Sequence, residues 1–431
     1  MLYVSLCALA FGCVLLPIQP SKSGDAPWDV DAAALGPAMR PMPFSKQFFG
    51  IHTLSPSRHW PTVPFGDMRP AGVTWGALEP VKGLYNWDPL DFWLTQTEAH
   101  GVQFDYVFLN VPAWTSTKPD EECAGRRMGC AAPPHLADWD NFVRALATRY
   151  KGRISSYELW NEPNAGGYWS GSTEQMVELA QHAYTIIKSI DPAAIVTTPA
   201  ASSTGYPLAH DAWLEKYLSA GGGKYADVIA WHGYSGRNDR PALPPEELAQ
   251  QIRALRAVVD KHNLSQLPIW NTEGGWGKNE QLPDPGAQAS FLMRWYLLQY
   301  TSGISRAYWY QWDNPQWGTL WREGSGVDAA GDAYARVYQW LDGTTAASPC
   351  QPSSSPDLWT CDLQKGKDTY RVAWSVGGNL PLPDAGAVDS YTDQKGVKQI
   401  PAGGQIMVGA MPMLFKLKNT EAPQAVSANA R

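Results

Sequence analysis

Two short stretches carry residues whose types and spacing fit acid–base or nucleophilic chemistry. Residues 157–164 read YELWNEPN and residues 269–276 read IWNTEGGW. In each, a glutamate (Glu162 or Glu273) closes an apolar run with the pattern of a strand and follows a Trp-Asn pair. A single glutamate at a strand end is as often a helix cap or an arginine partner as a reacting group. Two in matching surroundings point to a facing carboxylate pair, which is what cleavage of a glycosidic bond needs. One carboxyl donates a proton to the leaving oxygen, while the other, ionised, attacks the sugar or activates water.

For such a pair to face each other, the elements carrying them must lie across one cleft. Eight apolar runs read as strands, at 47–54, 64–69, 104–110, 154–161, 194–200, 227–234, 267–273 and 305–312. Several carry apolar residues on both alternating faces, as strands covered on both sides do. Helical patterns lie between them. Residues 136–152 place Trp139, Phe142, Val143, Leu146 and Tyr150 on one face and stop at Gly152. Residues 172–192 open on Ser172 and Thr173, where an N-cap is expected, and close before Pro192. Segments 88–101, 244–263 and 286–303 follow the same logic. This alternation of strands and helices predicts an α/β fold, a (β/α)8 TIM barrel over 44–344. Chemistry in that fold gathers at the C-terminal ends of the strands. Glu162 follows the fourth run and Glu273 ends the seventh, on opposite sides of the mouth.

Beyond Gly343 the pattern changes to short strand-like pieces, such as 369–376 and 411–417, separated by Gly, Pro and Asp. These predict a small all-β, sandwich-like domain over 345–418, followed by a disordered tail over 419–431. At the other end, 2–17 form an apolar run too short to span a membrane comfortably. Residues 1–23 read as a signal peptide and 24–43, rich in Pro and Ala, as a linker. The expected location is therefore outside the cell or in the periplasm, with Cys13 as a candidate lipidation site.

Cys7 and Cys13 fall in that leader. The other four cysteines form two close pairs, and of the three possible connectivities the local one, Cys123–Cys130 and Cys350–Cys361, is the simplest. There is no C-x-x-C, and no metal or cofactor motif is apparent. A net charge of −7 without a Lys/Arg cluster disfavours a nucleic-acid binder. The 21 tryptophans are more than a core of this size requires, and their flat apolar faces suit ligands with apolar faces and polar rims, such as sugars. Oligomeric state leaves no trace in the sequence.

WNEPN together with the later TEGGW resembles clan A of the retaining glycoside hydrolases. Residues 72–94 resemble family 39 in particular, with family 5 as the runner-up. The resemblance covers roughly 47–343. It implies Glu162 as acid/base, initially protonated near neutral pH, Glu273 as nucleophile, and Asn161 as a partner of the sugar 2-hydroxyl. Arg69, at the end of the second run, matches an arginine that touches the nucleophile. Tyr234 in WHGY matches a tyrosine that hydrogen-bonds it, with His232 beside it in the cleft. Trp312 falls where the clan often places an aromatic floor for the sugar. Trp114, in a loop similar to the family's, and Trp276 are expected to line the cleft. His52 and Asn110, just after the first and third runs, sit at cleft positions by the strand reading. Glu158, one layer below Glu162, reads as a buried ion-pair partner. The implied protein is a secreted retaining glycosidase acting on a poly- or oligosaccharide. The alternative is a barrel that binds carbohydrate without turning it over.

Overall fold

The computed structural model describes residues 43–54, 59–125, 127–203, 209–235, 241–393 and 396–419. The leader, nearly all of the linker and nearly all of the tail expected from the sequence lie outside the described residues.

Eight parallel strands form the central sheet: β1 (Phe49–Ile51), β2 (Asp67–Met68), β3 (Gln103–Val107), β4 (Ser156–Glu158), β5 (Ile195–Thr197), β6 (Ile229–Tyr234), β7 (Ile269–Gly275) and β8 (Ile304–Trp309). Their spatial order is β5-β4-β3-β2-β1-β8-β7-β6, and the two-residue piece Ala201–Ser202, which continues β5, pairs with the outer edge of β6. Parallel bridges Thr197↔Val228 and Asn161↔Ala200 tie that seam together, so the sheet closes into a barrel through β5. All eight strands fall within the runs expected from the sequence or within two residues of them.

Seven longer helices form the outer ring: α1 (Asp88–Ala99), α2 (Leu136–Arg149), α3 (Thr173–Ile190), α4 (His210–Ser219), α5 (Glu247–Lys261), α6 (Pro285–Thr301) and α7 (Ala329–Leu341). Among the described residues no helix follows β1, so the alternation is incomplete at its first step. Ser172 caps α3 in a full capping box: its side chain accepts from Gln175 N, and the Gln175 side chain accepts from Ser172 N. Helix α6 is buried nearly all round because the barrel covers one side and the C-terminal domain another.

That domain is a seven-stranded antiparallel sheet built around β9 (Leu358–Lys365), β10 (Asp368–Ser375), β11 (Val388–Thr392) and β12 (Met413–Leu417). It has its own core of Leu358, Ala373, Val388, Val408, Met413 and Phe415. It is fastened to the barrel by polar bonds. Trp374 Nε1 donates to Glu246 Oε1 at 2.6 Å, and Ser290 Oγ donates to the Ala410 carbonyl at 2.6 Å. Both local disulfides, Cys123–Cys130 and Cys350–Cys361, are present.

Candidate active site

The barrel interior is polar where the strand ends meet. Strand β2 runs into Arg69, whose guanidinium reaches three partners. Nη2 donates to Glu158 Oε1 at 2.7 Å and to Asn161 Oδ1 at 2.7 Å, and Nη1 donates to Glu273 Oε2 at 2.9 Å. Tyr234, the last residue of β6, donates its hydroxyl to Glu273 Oε1 at 2.7 Å. Each oxygen of Glu273 is therefore held by a different donor. Opposite it, His232 Nδ1 lies 3.0 Å from Glu162 Oε1, while its Nε2 is 3.6 Å from Glu158 Oε1. Donor atoms of Glu162, His232 and Glu273 all lie within 4.8 Å of one another, so the two glutamates face each other across a narrow gap. Their side chains are each 13% exposed, whereas Glu158 and His232 are sealed.

The WNEPN motif assigns each of its polar members a separate contact. Trp160 is in the core and its Nε1 donates to the Tyr168 carbonyl at 2.9 Å, fixing the loop that follows. Asn161 takes a hydrogen bond from Arg69. Glu162 has a positive φ of 44°, unusual for a non-glycine, and is pinned by its own N–H to the Ala200 carbonyl at 2.9 Å. Asn164 exchanges two hydrogen bonds with the backbone of Ser202, at 2.9 and 2.8 Å. In the second motif Asn271 serves the scaffold: it accepts from Gly233 N at 2.8 Å and donates to Gln299 at 2.7 Å.

The electrostatics follow from this packing. Burial alone would raise Glu158, but the Arg69 charge and the neighbouring His232 outweigh it and hold the carboxyl down at about 2. Burial would lower His232, but Glu273, Glu158 and Glu162 around the ring push it up to about 9. Burial likewise acts to raise Glu162, but hydrogen bonding and charge from His232 dominate and hold it below the usual carboxylate range. This corrects the expectation that Glu162 rests protonated. His232 Nδ1 and Glu162 Oε1 share one hydrogen bond of 3.0 Å, in which the raised imidazole and the lowered carboxyl favour the proton on the ring. Three donor atoms this close would also suit a cation.

His52 is near the cluster but enclosed. It is buried, its Nε2 is 2.8 Å from the Thr272 carbonyl, and burial together with the Arg69 charge keeps it well below the ordinary imidazole range. Three sequence expectations are corrected. Trp312 is fully buried and its backbone is tied to His52, so it offers no floor to a ligand. Trp276 is also buried, edge-on to Trp309 at 4.9 Å and to Phe291 of α6 at 5.9 Å. Trp114 is in a groove beside α2, where its Nε1 donates to the Glu79 carbonyl at 3.0 Å. Asn110 lines a hollow of about 350 Å³ with Arg127 and Met128 of the disulfide loop.

The aromatic residues at the cluster are ones the sequence reading missed. Tyr310, just past β8, is half-buried. Burial comes first in raising its hydroxyl pKa and the Glu273 charge second, so the phenol stays neutral beside the carboxylates. Tyr168 responds in the same way to burial, Glu162 and Glu273. Trp317 stands edge-on to both Tyr234 (6.4 Å) and Tyr310 (6.2 Å). Both Tyr168 and Trp317 lie in loops, where neither strand parity nor helical period marks a facing side. Tyr310 was passed over because the strand was extended to residue 312.

A family description, "Glycosyl hydrolases family 39", matches residues 129–309, a span holding Asn161, Glu162, His232, Tyr234 and Glu273 but not Arg69. A β-xylosidase of Geobacillus stearothermophilus is 24% identical over 162 residues, 33% of this chain, and the match spans 31% of that relative's length. Among solved structures, a family 39 glycoside hydrolase of Bacteroides cellulosilyticus WH2 superposes with a TM-score of 0.65 at 18% identity, over 88% of this chain and 82% of that one. A family 39 β-xylosidase of Caulobacter crescentus gives 0.60 at 15% identity, over 88% and 98%. The fold is thus a (β/α)8 barrel, and residues 129–309 are similar to family 39 of the glycosyl hydrolases.

Proposed function

We propose that this protein is an exported retaining glycoside hydrolase that cleaves a β-linked sugar by double displacement, with Glu273 as nucleophile and Glu162 as acid/base. The observation that carries the reading is the gap between the two carboxylates. Their facing oxygens lie within 4.8 Å. Retaining enzymes hold the pair about 5–5.5 Å apart, whereas inverting ones leave about 6.5–9.5 Å for a water.

In the first step Glu273 attacks the anomeric carbon and the bond to the departing oxygen breaks. Glu162 delivers the proton that oxygen needs. It draws that proton from His232 Nδ1 along their hydrogen bond, so no free acid has to wait in the resting site. In the second step Glu162 takes a proton from water and returns it to His232 Nδ1, while the water oxygen displaces Glu273 and restores the anomeric configuration. Arg69 and Tyr234 keep the two oxygens of Glu273 aimed at the sugar. Asn161, fixed by Arg69, presents its amide N–H2 to the 2-hydroxyl, and Tyr310, Tyr168 and Trp317 supply the aromatic wall. Export is supported by the two disulfides. No helix among the described residues is long and apolar enough to cross a membrane.

Because two of the relatives are named β-xylosidases, 4-nitrophenyl β-D-xylopyranoside is the first substrate to try. The expected result is turnover with a β-configured first product by NMR, abolished in Glu273→Gln. An α-configured first product, or activity surviving in Glu273→Gln, would sink the mechanism. Absence of turnover across a panel of aryl β-glycosides would favour a barrel that only binds.

A further inference from the structure

Apart from the carboxylate cluster, a groove of about 800 Å³ runs between α2 and the turn that precedes α1. Its two walls are chemically different. One is the end of an aromatic stack that starts in the core. Trp75 stacks on Phe142 (5.0 Å, 16°), Phe142 lies near-parallel to Trp87 (6.4 Å, 14°), and Trp87 stacks on Tyr85 (4.8 Å, 15°). Tyr85 is the outermost ring, half-buried, and meets no other aromatic side chain among the described residues. Trp114 lines the same groove, with the Lys82 ammonium 5.8 Å from its ring.

The other wall is one face of α2, with Asn141, Arg144 and Thr148 spaced three and four residues apart. None of these three side chains has a hydrogen-bond or ion-pair partner among the described residues. Asp138, near the start of α2, pairs with Lys82 at 2.6 Å, and Arg149, its last residue, pairs with Asp91 at 2.6 Å. At 1.5 Å per residue, the 11 residue steps from Asp138 to Arg149 give the helical wall a length of about 16 Å, several sugar rings long. The acids of the groove, Glu79 and Asp138, are buried, while its cations, Lys82, Arg144 and Arg149, face solvent. With Lys82 and Arg149 each held by an aspartate, Arg144 is the groove's exposed cation without an ion-pair partner among the described residues.

We propose that this groove is a second carbohydrate site, which holds a stretch of glycan chain bearing carboxylated sugars. A sugar ring would stack on Tyr85 as the next member of the aromatic row, its hydroxyls would meet Asn141 and Thr148, and its carboxylate would meet Arg144. The choice of a glycan as ligand rests on the glycosidase reading; the shape and charge of the groove do not.

The test is native electrophoresis in gels holding soluble glucuronoxylan, which is acidic, or arabinoxylan, which is neutral, with turnover of the aryl xyloside measured alongside. Glucuronoxylan should retard the wild type more strongly than arabinoxylan. Tyr85→Ala and Arg144→Ala should each weaken that retardation roughly tenfold, with aryl xyloside turnover unchanged. No retardation by glucuronoxylan, or retardation untouched by either variant, would overturn the site even if the enzyme is active. Equal retardation in both gels that survives Arg144→Ala would overturn the acidic class. A wild type without turnover that is still retarded through Tyr85 and Arg144 would support the groove and count against the catalytic reading alone.

Discussion

The barrel holds carboxylates against arginine at two depths, and the two layers behave differently. At the mouth, Arg69 and His232 stand among Glu158, Glu162 and Glu273, and two of those acids touch solvent. One layer down, Arg306 pairs with Asp67. Asp105 accepts from Ser156 Oγ at 2.7 Å, and Asp67 and Asp105 are both fully buried. In the upper layer the cations prevail, holding Glu158 at about 2 and Glu162 below the usual range. In the lower layer burial prevails, raising Asp67 despite Arg306 and raising Asp105 further through the Glu158 and Asp67 charges. An excess of buried acid is thus resolved in two ways. Where burial outweighs the neighbouring cation the carboxyl is raised; at the strand ends two cations hold even the sealed Glu158 down.

The sharpest way to break that contrast is to remove each arginine in turn. Arg69→Met leaves Glu158 as an uncompensated buried charge and should destabilise the fold by about 3–5 kcal/mol in urea unfolding, with loss of turnover. Arg306→Met leaves Asp67, which can accept a proton, and should cost about 1–3 kcal/mol at neutral pH. Equal losses would mean the layers do not differ.

A smaller effect should follow pH. His232 is raised, so its contribution to stability is fully present below about 6.5, the ordinary imidazole value, and is lost as pH rises through about 9. The Tm of the wild type should fall over that window more than the Tm of His232→Asn. Parallel curves for the two proteins would remove the charged imidazole from the account.

The smallest change is expected from Asp105→Asn. Its raised carboxyl contributes fully below the ordinary carboxylate range and less as pH rises through its folded value. The neutral amide should therefore shift stability by about 1 kcal/mol or less at low pH, and compare progressively better with the wild type as pH rises. A loss that grows with pH would show that Asp105 is ionised in the native protein.

The strand ends were legible because a barrel strand exposes its last residue at the mouth, so Arg69, Tyr234 and Glu273 could be placed by position. Tryptophan was misleading for the opposite reason. Trp276 and Trp312 have the chemistry of sugar platforms, but α6 and the turn after β8 bury them. The direction in which the Glu162 carboxyl shifts was not legible because it depends on His232, 70 residues away in the chain, and on Arg69.

The sequence by itself determined the alternation of strands and helices and the strand-end positions of the two glutamates, since each follows from short-range pattern and residue type; it left three cysteine pairings open. Tertiary structure alone decided which aromatics face the cleft, how close the carboxylates stand and which group holds the proton. Those properties depend on burial and on charges brought together from distant strands, and neither is written at any single position of the chain.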